Sequence, residues 1–466
     1  MRNFKRIICI CITLCLVLCT MCSCGKPAAK KLPEYLTQEF EICGLWAPHE
    51  ITEEAFNQYK QAGFNVVSFT NHDEVPRSSE NQYYVGSKRT MEALEVCKKV
   101  GIDVYLAYGA SWFNRANEGD EYFDNKPFST YNLYGEYMDI IKGVHINDEP
   151  NKETMAALAK DELIQDYINV YGNRKYMINL IPATAVTSRD FTDYDEMLQI
   201  YGETIMSKFE NPYICVDVYP FSNSNAPENS ILNNYNMLAN CAKKYNAETS
   251  FILQSSTGSE FLETLSEADM RFQAYTAIAF GADNLQYYCY SVPRTKQDDG
   301  SFSYLYNHCM LNHDGTPNEL YYSVKNVNNE IQKFASAVLA YDWQQSIGVT
   351  GTDDQTFRVC SIEYDENFDK RDLQNTKHYV SSTNTLDLVL SHFASEKYGE
   401  AYMFVNFGRA EMGNNVVKTK FKDCNAVAIY GGADYSGEPQ IVELDEEGTL
   451  TLELKYGDGA FVVPVV

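Results

Sequence analysis

The sequence predicts an α/β protein: a closed (β/α)8 barrel followed by a small all-β sandwich. Three observations carry that expectation. Eight short β-rich apolar runs alternate with helix-patterned stretches over roughly 300 residues, the order expected of a parallel sheet with crossover helices. No glycine pattern of a dinucleotide- or phosphate-binding loop follows any of those runs. After about residue 345 helical periodicity fades, and short runs separated by turn residues take its place. An open α/β sheet, with one strand miscounted, is the alternative architecture.

The candidate strands are 41–48, 64–70, 102–109, 142–149, 175–182, 212–219, 249–256 and 282–290. Between them lie helix signals. Thr52 can cap the first helix, with Ile51 and Phe56 as a hydrophobic staple and Gly63 as its stop. Ser266 with Asp269 three residues later opens another. Thr316-Pro317-Asn318-Glu319 combines a capping box with proline at the first helical position. Beyond it Leu320, Val324, Val327, Ile331, Phe334 and Val338 make an apolar stripe on one helix face. In the C-terminal part, 402–407, 426–430, 450–456 and 460–465 read as strands, the last two joined across Gly457-Asp458-Gly459. The expected organisation is a leader over 1–23, a tether over 24–39, the barrel over 40–343 and a β-sandwich over 344–466.

The chain has 466 residues, of which 45% are hydrophobic and 22% charged. That composition excludes disorder, collagen and coiled coil as whole-chain descriptions. The formal charge is −26. Such a surface repels phosphate backbones and anionic headgroups, which argues against nucleic-acid partners and polybasic membrane contact and favours neutral ones. Arg2, Lys5 and Arg6 precede an apolar run from Ile7 to Val17, and Met21-Cys22-Ser23-Cys24 closes it. This resembles a bacterial lipoprotein signal. Cys24 would then be lipid-modified and the mature domain anchored outside the cytoplasm, in contact with the membrane through that lipid only. A plain secretory signal or an uncleaved anchor helix is the alternative. Six of the 14 cysteines lie in the leader, and the rest are scattered singly without a C-x-x-C pair. Neither a structural metal nor a disulfide framework is expected, and nothing calls for a cofactor.

Active sites of such barrels form at the C-terminal ends of the strands. The fourth run ends Asn147-Asp148-Glu149-Pro150, and strict alternation places His145, Asn147 and Glu149 on one face and Asp148 on the other. A carboxyl held there beside a second acid can have its pKa raised, as a general acid requires. The alternative for Glu149 is a helix-start acid favoured by the helix dipole. Asp217 closes the sixth run and can face Glu149 across the barrel. Glu260 and Glu263, on the loop after the seventh, are the other acids in range, or else ordinary solvated charges. Aromatic faces stack on sugar rings while amides and carboxylates meet hydroxyls. On that basis Trp46, Tyr108, Trp112, Tyr219, Tyr288 and Tyr290, with Asn71, His72, Asp73, Asn147, Gln254 and Arg294, are candidate substrate-binding residues.

A glutamate closing the fourth strand before a proline resembles the acid/base position of the large clan of barrel glycoside hydrolases that includes the family 42 β-galactosidases. Asp217-Val218-Tyr219-Pro220-Phe221 and Gly281-Ala282-Asp283 are similar to the same group. The resemblance covers roughly residues 40–340 and implies that Glu149 is the proton donor. Two departures stand out: Asp148 replaces the asparagine expected before the acid/base, and Gln254-Ser255-Ser256 stands where the clan carries a nucleophilic glutamate. Two functions remain open. One is hydrolysis of a neutral oligosaccharide or polysaccharide by Glu149 and a second carboxylate; the other is sugar binding by an inactive barrel.

Overall fold

Eight parallel strands, β1 Glu41–Gly44, β2 Val66–Ser68, β3 Asp103–Ala107, β4 Ile141–Asp148, β5 Lys175–Leu180, β6 Tyr213–Asp217, β7 Glu248–Gln254 and β8 Asn284–Tyr288, pair in sequence order. Cys43 registers with both Val66 of β2 and Gln286 of β8, which closes the barrel. The computed structural model describes residues 32–69, 88–107, 132–221, 229–258, 264–297, 299–353, 373–408 and 412–466. All eight expected runs are strands.

Among the described residues the helices are α1 Glu53–Gln61, α2 Lys88–Val100, α3 Lys152–Leu158, α4 Asp161–Tyr171, α5 Tyr194–Thr204, α6 Asn229–Tyr245, α7 Glu267–Ala279 and α8 Glu319–Val338. Their ends follow the expected chemistry in two cases. The Thr52 hydroxyl accepts from the Ala55 N–H at 3.2 Å, and Ser266 with Asp269 forms a reciprocal capping box. At α8 the expectation fails by two residues. Thr316 is held in the preceding turn by Asp314, its hydroxyl 2.6 Å from Oδ1, so Asn318 becomes the cap and accepts from the Leu320 and Tyr321 N–H groups. The predicted stripe of α8 is buried throughout.

The lower end of the barrel is closed by charge pairing. Lys175 Nζ meets the carboxylates of Glu41 and Glu248 in a nearly solvent-free position, a pairing that a buried ammonium needs. Above it Cys43, Tyr105, Met177, Tyr213, Cys215 and Ile252 fill the lumen. The barrel interior is therefore a packed core, and only its upper rim is available for chemistry.

The hairpin β9 Arg294–Lys296 and β10 Phe302–Tyr304 lies between β8 and α8. The all-β part comprises β11 Asp342–Val349, β12 Tyr379–Asn384, β13 Leu388–Ser395, β14 Gly399–Asn406, β15 Asn415–Phe421, β16 Ala426–Tyr430, β17 Gln440–Glu443, β18 Thr449–Leu454 and β19 Gly459–Val465. β11 begins at Asp342, so the expected boundary at 343/344 falls inside a strand. A six-stranded sheet, β11-β13-β14-β19-β16-β17, and a three-stranded sheet, β12-β15-β18, enclose a core of Leu388, Leu390, Phe404, Val417, Leu450 and Leu452. β15 alternates buried and exposed residues strictly, having solvent on one side. β13 and β14 are buried almost continuously because α7 covers their other face. For the same reason α7 is buried on every side from Met270 to Ala279. Arg271 of α7 ion-pairs with Glu330 of α8 at 3.1 Å and lies 3.8 Å from Asp458 of the sandwich. Tyr275 donates to Glu330 and accepts from the Gly432 N–H.

Candidate active site

Three neighbouring strands bring carboxyl and amide groups to the upper rim. His145 registers with Met177 and Asp148 with Asn179, so β4 places two residues, Ile146 and Asn147, where β5 has one. This β-bulge reverses the alternation. Asp148 therefore shares the lumen face with His145, and Asn147 registers with Ile178, off the face it was expected to share with His145. The Asn179 side-chain amide donates to Asp148 Oδ1 at 2.9 Å, and the Asn179 backbone carbonyl accepts from the Glu149 N–H at 2.9 Å. Asn179 itself registers with Cys215 of β6, two residues before Asp217.

Glu149, the next residue, has φ +46°. A non-glycine residue pays roughly 1–2 kcal/mol for left-handed backbone, and such geometry concentrates where a side chain must be aimed. Trp46, following β1, has φ +59°. Both lie at the same end of the barrel. Arg189 closes the 3-10 segment Ala183–Arg189 after β5, and its Nη2 lies 2.5 Å from Glu149 Oε2. The Glu149 side chain is 26% exposed, whereas Asp217 is buried and its Oδ1 has no hydrogen-bond partner among the described residues.

The two carboxyls differ in electrostatic setting. Asp217 is pushed up to about 8 by burial first, then by the negative charges of Glu149 and Asp148, with Asn179 acting in the opposite sense. Glu149 is also raised, by burial first and by Asp148, while Arg189 pulls it back. After burial, Asp148 raises both groups, and the charge of Glu149 adds to the rise at Asp217. Below them His145 is lowered to about 4 by burial and is neutral at pH 7, near enough to Gln286 to hydrogen-bond at 3.2 Å. Among the described residues no cluster of three or more His, Cys, Asp or Glu is arranged to hold a metal ion.

An aromatic wall stands at this rim. Tyr288 stacks on Tyr219 with ring centroids 5.3 Å apart and meets the Trp46 ring edge-on at 5.0 Å. Tyr306 joins them, its hydroxyl 3.0 Å from that of Tyr288. Three expected binding residues lie elsewhere. The fully buried Gln254 amide accepts from the Phe221 N–H and donates to the Phe221 and Ser256 carbonyls, so it ties two loops together instead of facing the mouth. Tyr290 packs behind the barrel wall against Tyr59 and Phe64. Arg294 lies over the Phe302 ring in the hairpin. Glu260, Asn71, His72, Asp73, Tyr108, Trp112 and Cys24 lie outside the described residues. Sequence reasoning missed Asn179, Arg189 and Tyr306. Of these only Asn179 carried a signal, as a lone amide in the apolar run Met177-Ile178-Asn179-Leu180.

No family model and no curated protein matches this chain. Solved structures do. One described as a glycoside hydrolase aligns with a TM-score of 0.51 at 12% identity, covering 91% of this chain and 92% of the other. The chain shares the barrel fold of that structure. A family 39 glycoside hydrolase from the gut symbiont Bacteroides cellulosilyticus WH2 aligns with a TM-score of 0.49 at 12% identity, over 93% of this chain and 83% of the other. A family 5 glycoside hydrolase from Bacteroides vulgatus ATCC 8482 gives 0.46 at 10% identity, over 91% and 89%. At 12% identity the alignment of TM-score 0.51 bears on the fold alone.

Proposed function

We propose that this protein is an extracytoplasmic glycoside hydrolase, related in mechanism to the family 42-like clan, that cleaves a neutral glycan with Glu149 and Asp217 as its reacting carboxyls. The observation that carries the reading is the pairing itself. Two carboxyls stand at one barrel rim, Asp217 raised by burial first and by the neighbouring charge of Glu149 second, beside a wall formed by Trp46, Tyr219, Tyr288 and Tyr306. Glycosidic cleavage needs such a pair, one group protonating the leaving oxygen while the other activates water or attacks carbon. By resemblance Glu149 is the donor. Three acids, Asp148, Glu149 and Asp217, against the single described cation Arg189 disfavour an anionic sugar, and the overall charge of −26 points the same way. The extracytoplasmic setting rests on the leader and Cys24.

The test is turnover on a panel of neutral oligosaccharides and aryl glycosides, with Glu149→Gln and Asp217→Asn as controls. Each substitution should lower kcat on the oligosaccharides, whose leaving groups need a proton, by at least about a hundredfold in folded protein. Full activity in both would reject the assignment. A second reading, sugar binding without turnover, is favoured by one observation: β7 ends in an amide locked to Phe221, where the clan carries a glutamate. Saturable binding with no product from any substrate would select it.

A further inference from the structure

We propose that the Arg189–Glu149 ion pair divides the labour between the two carboxyls, holding Glu149 as the carboxylate that takes a proton from the attacking water and leaving Asp217 as the proton donor. This rests on the reading of the pair as the reacting groups, and it reverses the roles that the resemblance implies. Arg189 is a positioning residue. Its place is fixed from both sides: the Ala183 N–H that opens its segment donates to Asn234 Oδ1 at 2.7 Å, and Asp190 turns the chain with φ +65° immediately after it. Glu149 is aimed at it by the left-handed backbone that the Asn179 carbonyl holds. Among the described residues Asp217 has no such partner. The described groups facing it are Asp148 and Glu149 from the β4 end, the Asn179 amide from β5, Cys215 of β6 and Tyr219 just beyond it, the Tyr194 hydroxyl from α5 and Tyr235 from α6, none of them a cation. A carboxyl buried among acids is favoured in its protonated form, and a guanidinium alongside favours the ionised one; burial raises both groups, and of the two it is Glu149 that Arg189 pulls back. In the step itself the Asp217 proton passes to the glycosidic oxygen as the carbon–oxygen bond breaks. Water oxygen bonds to the anomeric carbon and its proton passes to Glu149. Exchange with solvent restores both groups.

Two measurements on the full chain test the division. Difference infrared spectroscopy at neutral pH should show the carbonyl stretch of a protonated carboxyl that is lost in Asp217→Asn and retained in Glu149→Gln. In Arg189→Gln the Glu149 ionisation should move upward in pH, its midpoint falling at an about tenfold lower proton concentration, and Arg189→Lys should reverse most of the shift. A band that disappears in Glu149→Gln but persists in Asp217→Asn, or an unmoved titration in Arg189→Gln, overturns the proposal. With aryl glycosides, Asp217→Asn should keep turnover on dinitrophenyl leaving groups, which need no proton, and lose it on poor ones; Glu149→Gln should lose both. The opposite pattern assigns the donor to Glu149. Absence of turnover in the wild type would sink the hydrolase reading, while the infrared result would still decide the proton's place.

Discussion

Burial first, and the charge on Glu149 second, hold a proton on Asp217 up to about pH 8. A carboxyl ordinarily ionising near 3.8 is thereby kept neutral across the physiological range. The linkage has a definite sign. Because the folded-state pKa is raised, the folded state binds more protons than the unfolded chain between about pH 4 and 8, and this group's contribution to stability is complete below pH 4 and lost as pH rises through 8. Asp217→Asn removes that slope. Its melting temperature relative to wild type should rise steadily from pH 4 to 8, the gain reaching about 2–5 kcal/mol above pH 8. Thermal denaturation at several pH values measures it, and parallel curves for the two proteins would contradict it.

The aromatic wall makes a separate prediction for binding. Tyr219 and Tyr288 present stacked faces beside the carboxyl pair. Tyr219→Ala should weaken glycan binding about tenfold, the equivalent of about 1.4 kcal/mol, with little effect on the titration of Asp217. Calorimetry on Glu149→Gln protein, where turnover does not interfere, measures the affinity.

Arg271 carries the contact between barrel and sandwich. It is buried between Glu330 and Asp458, and deleting one partner of such a group costs about 3–5 kcal/mol. Arg271→Ala should lower the melting temperature by several degrees. Scanning calorimetry should then resolve two transitions where the intact protein gives one.

The thiols should be inert in the folded protein. Cys43, Cys97, Cys215, Cys289 and Cys309 are buried out of reach of reagent, and burial also raises Cys43, Cys97 and Cys289 and pushes Cys215 up to about 12, so these four hold little thiolate to react. Mass spectrometry after iodoacetamide treatment should find these five unmodified until denaturant is added.

Most of the scaffold was legible in the sequence because a strand buried on both faces leaves a continuous apolar run, and eight such runs survive inspection one by one. Glu149 and Asp217 were legible for the same reason, as acids that end those runs. The bulge in β4 was not: one inserted residue leaves no mark on composition, yet it exchanges the faces of Asn147 and Asp148. Arg189 was invisible because its partner lies 40 residues away. Gln254 and Tyr290 were misplaced because a strand-ending residue can turn either to the mouth or to the wall, and only tertiary contacts choose. In the sandwich, β13 and β14 escaped the alternation pattern because a helix covers their second face.

That covering helix has a consequence for how such a chain could be assembled from parts. α7 belongs to both halves: its residues from Met270 to Ala279 are buried on every side, and a methyl group added at Gly457 would fall within 2.2 Å of the Ala268 carbonyl oxygen. Severed at the start of β11, the barrel would present water with an oily stripe that no polar residue interrupts for long. The two halves are thus not interchangeable modules, and a shortened gene would be expected to yield inclusion bodies unless that stripe were first rewritten with charges.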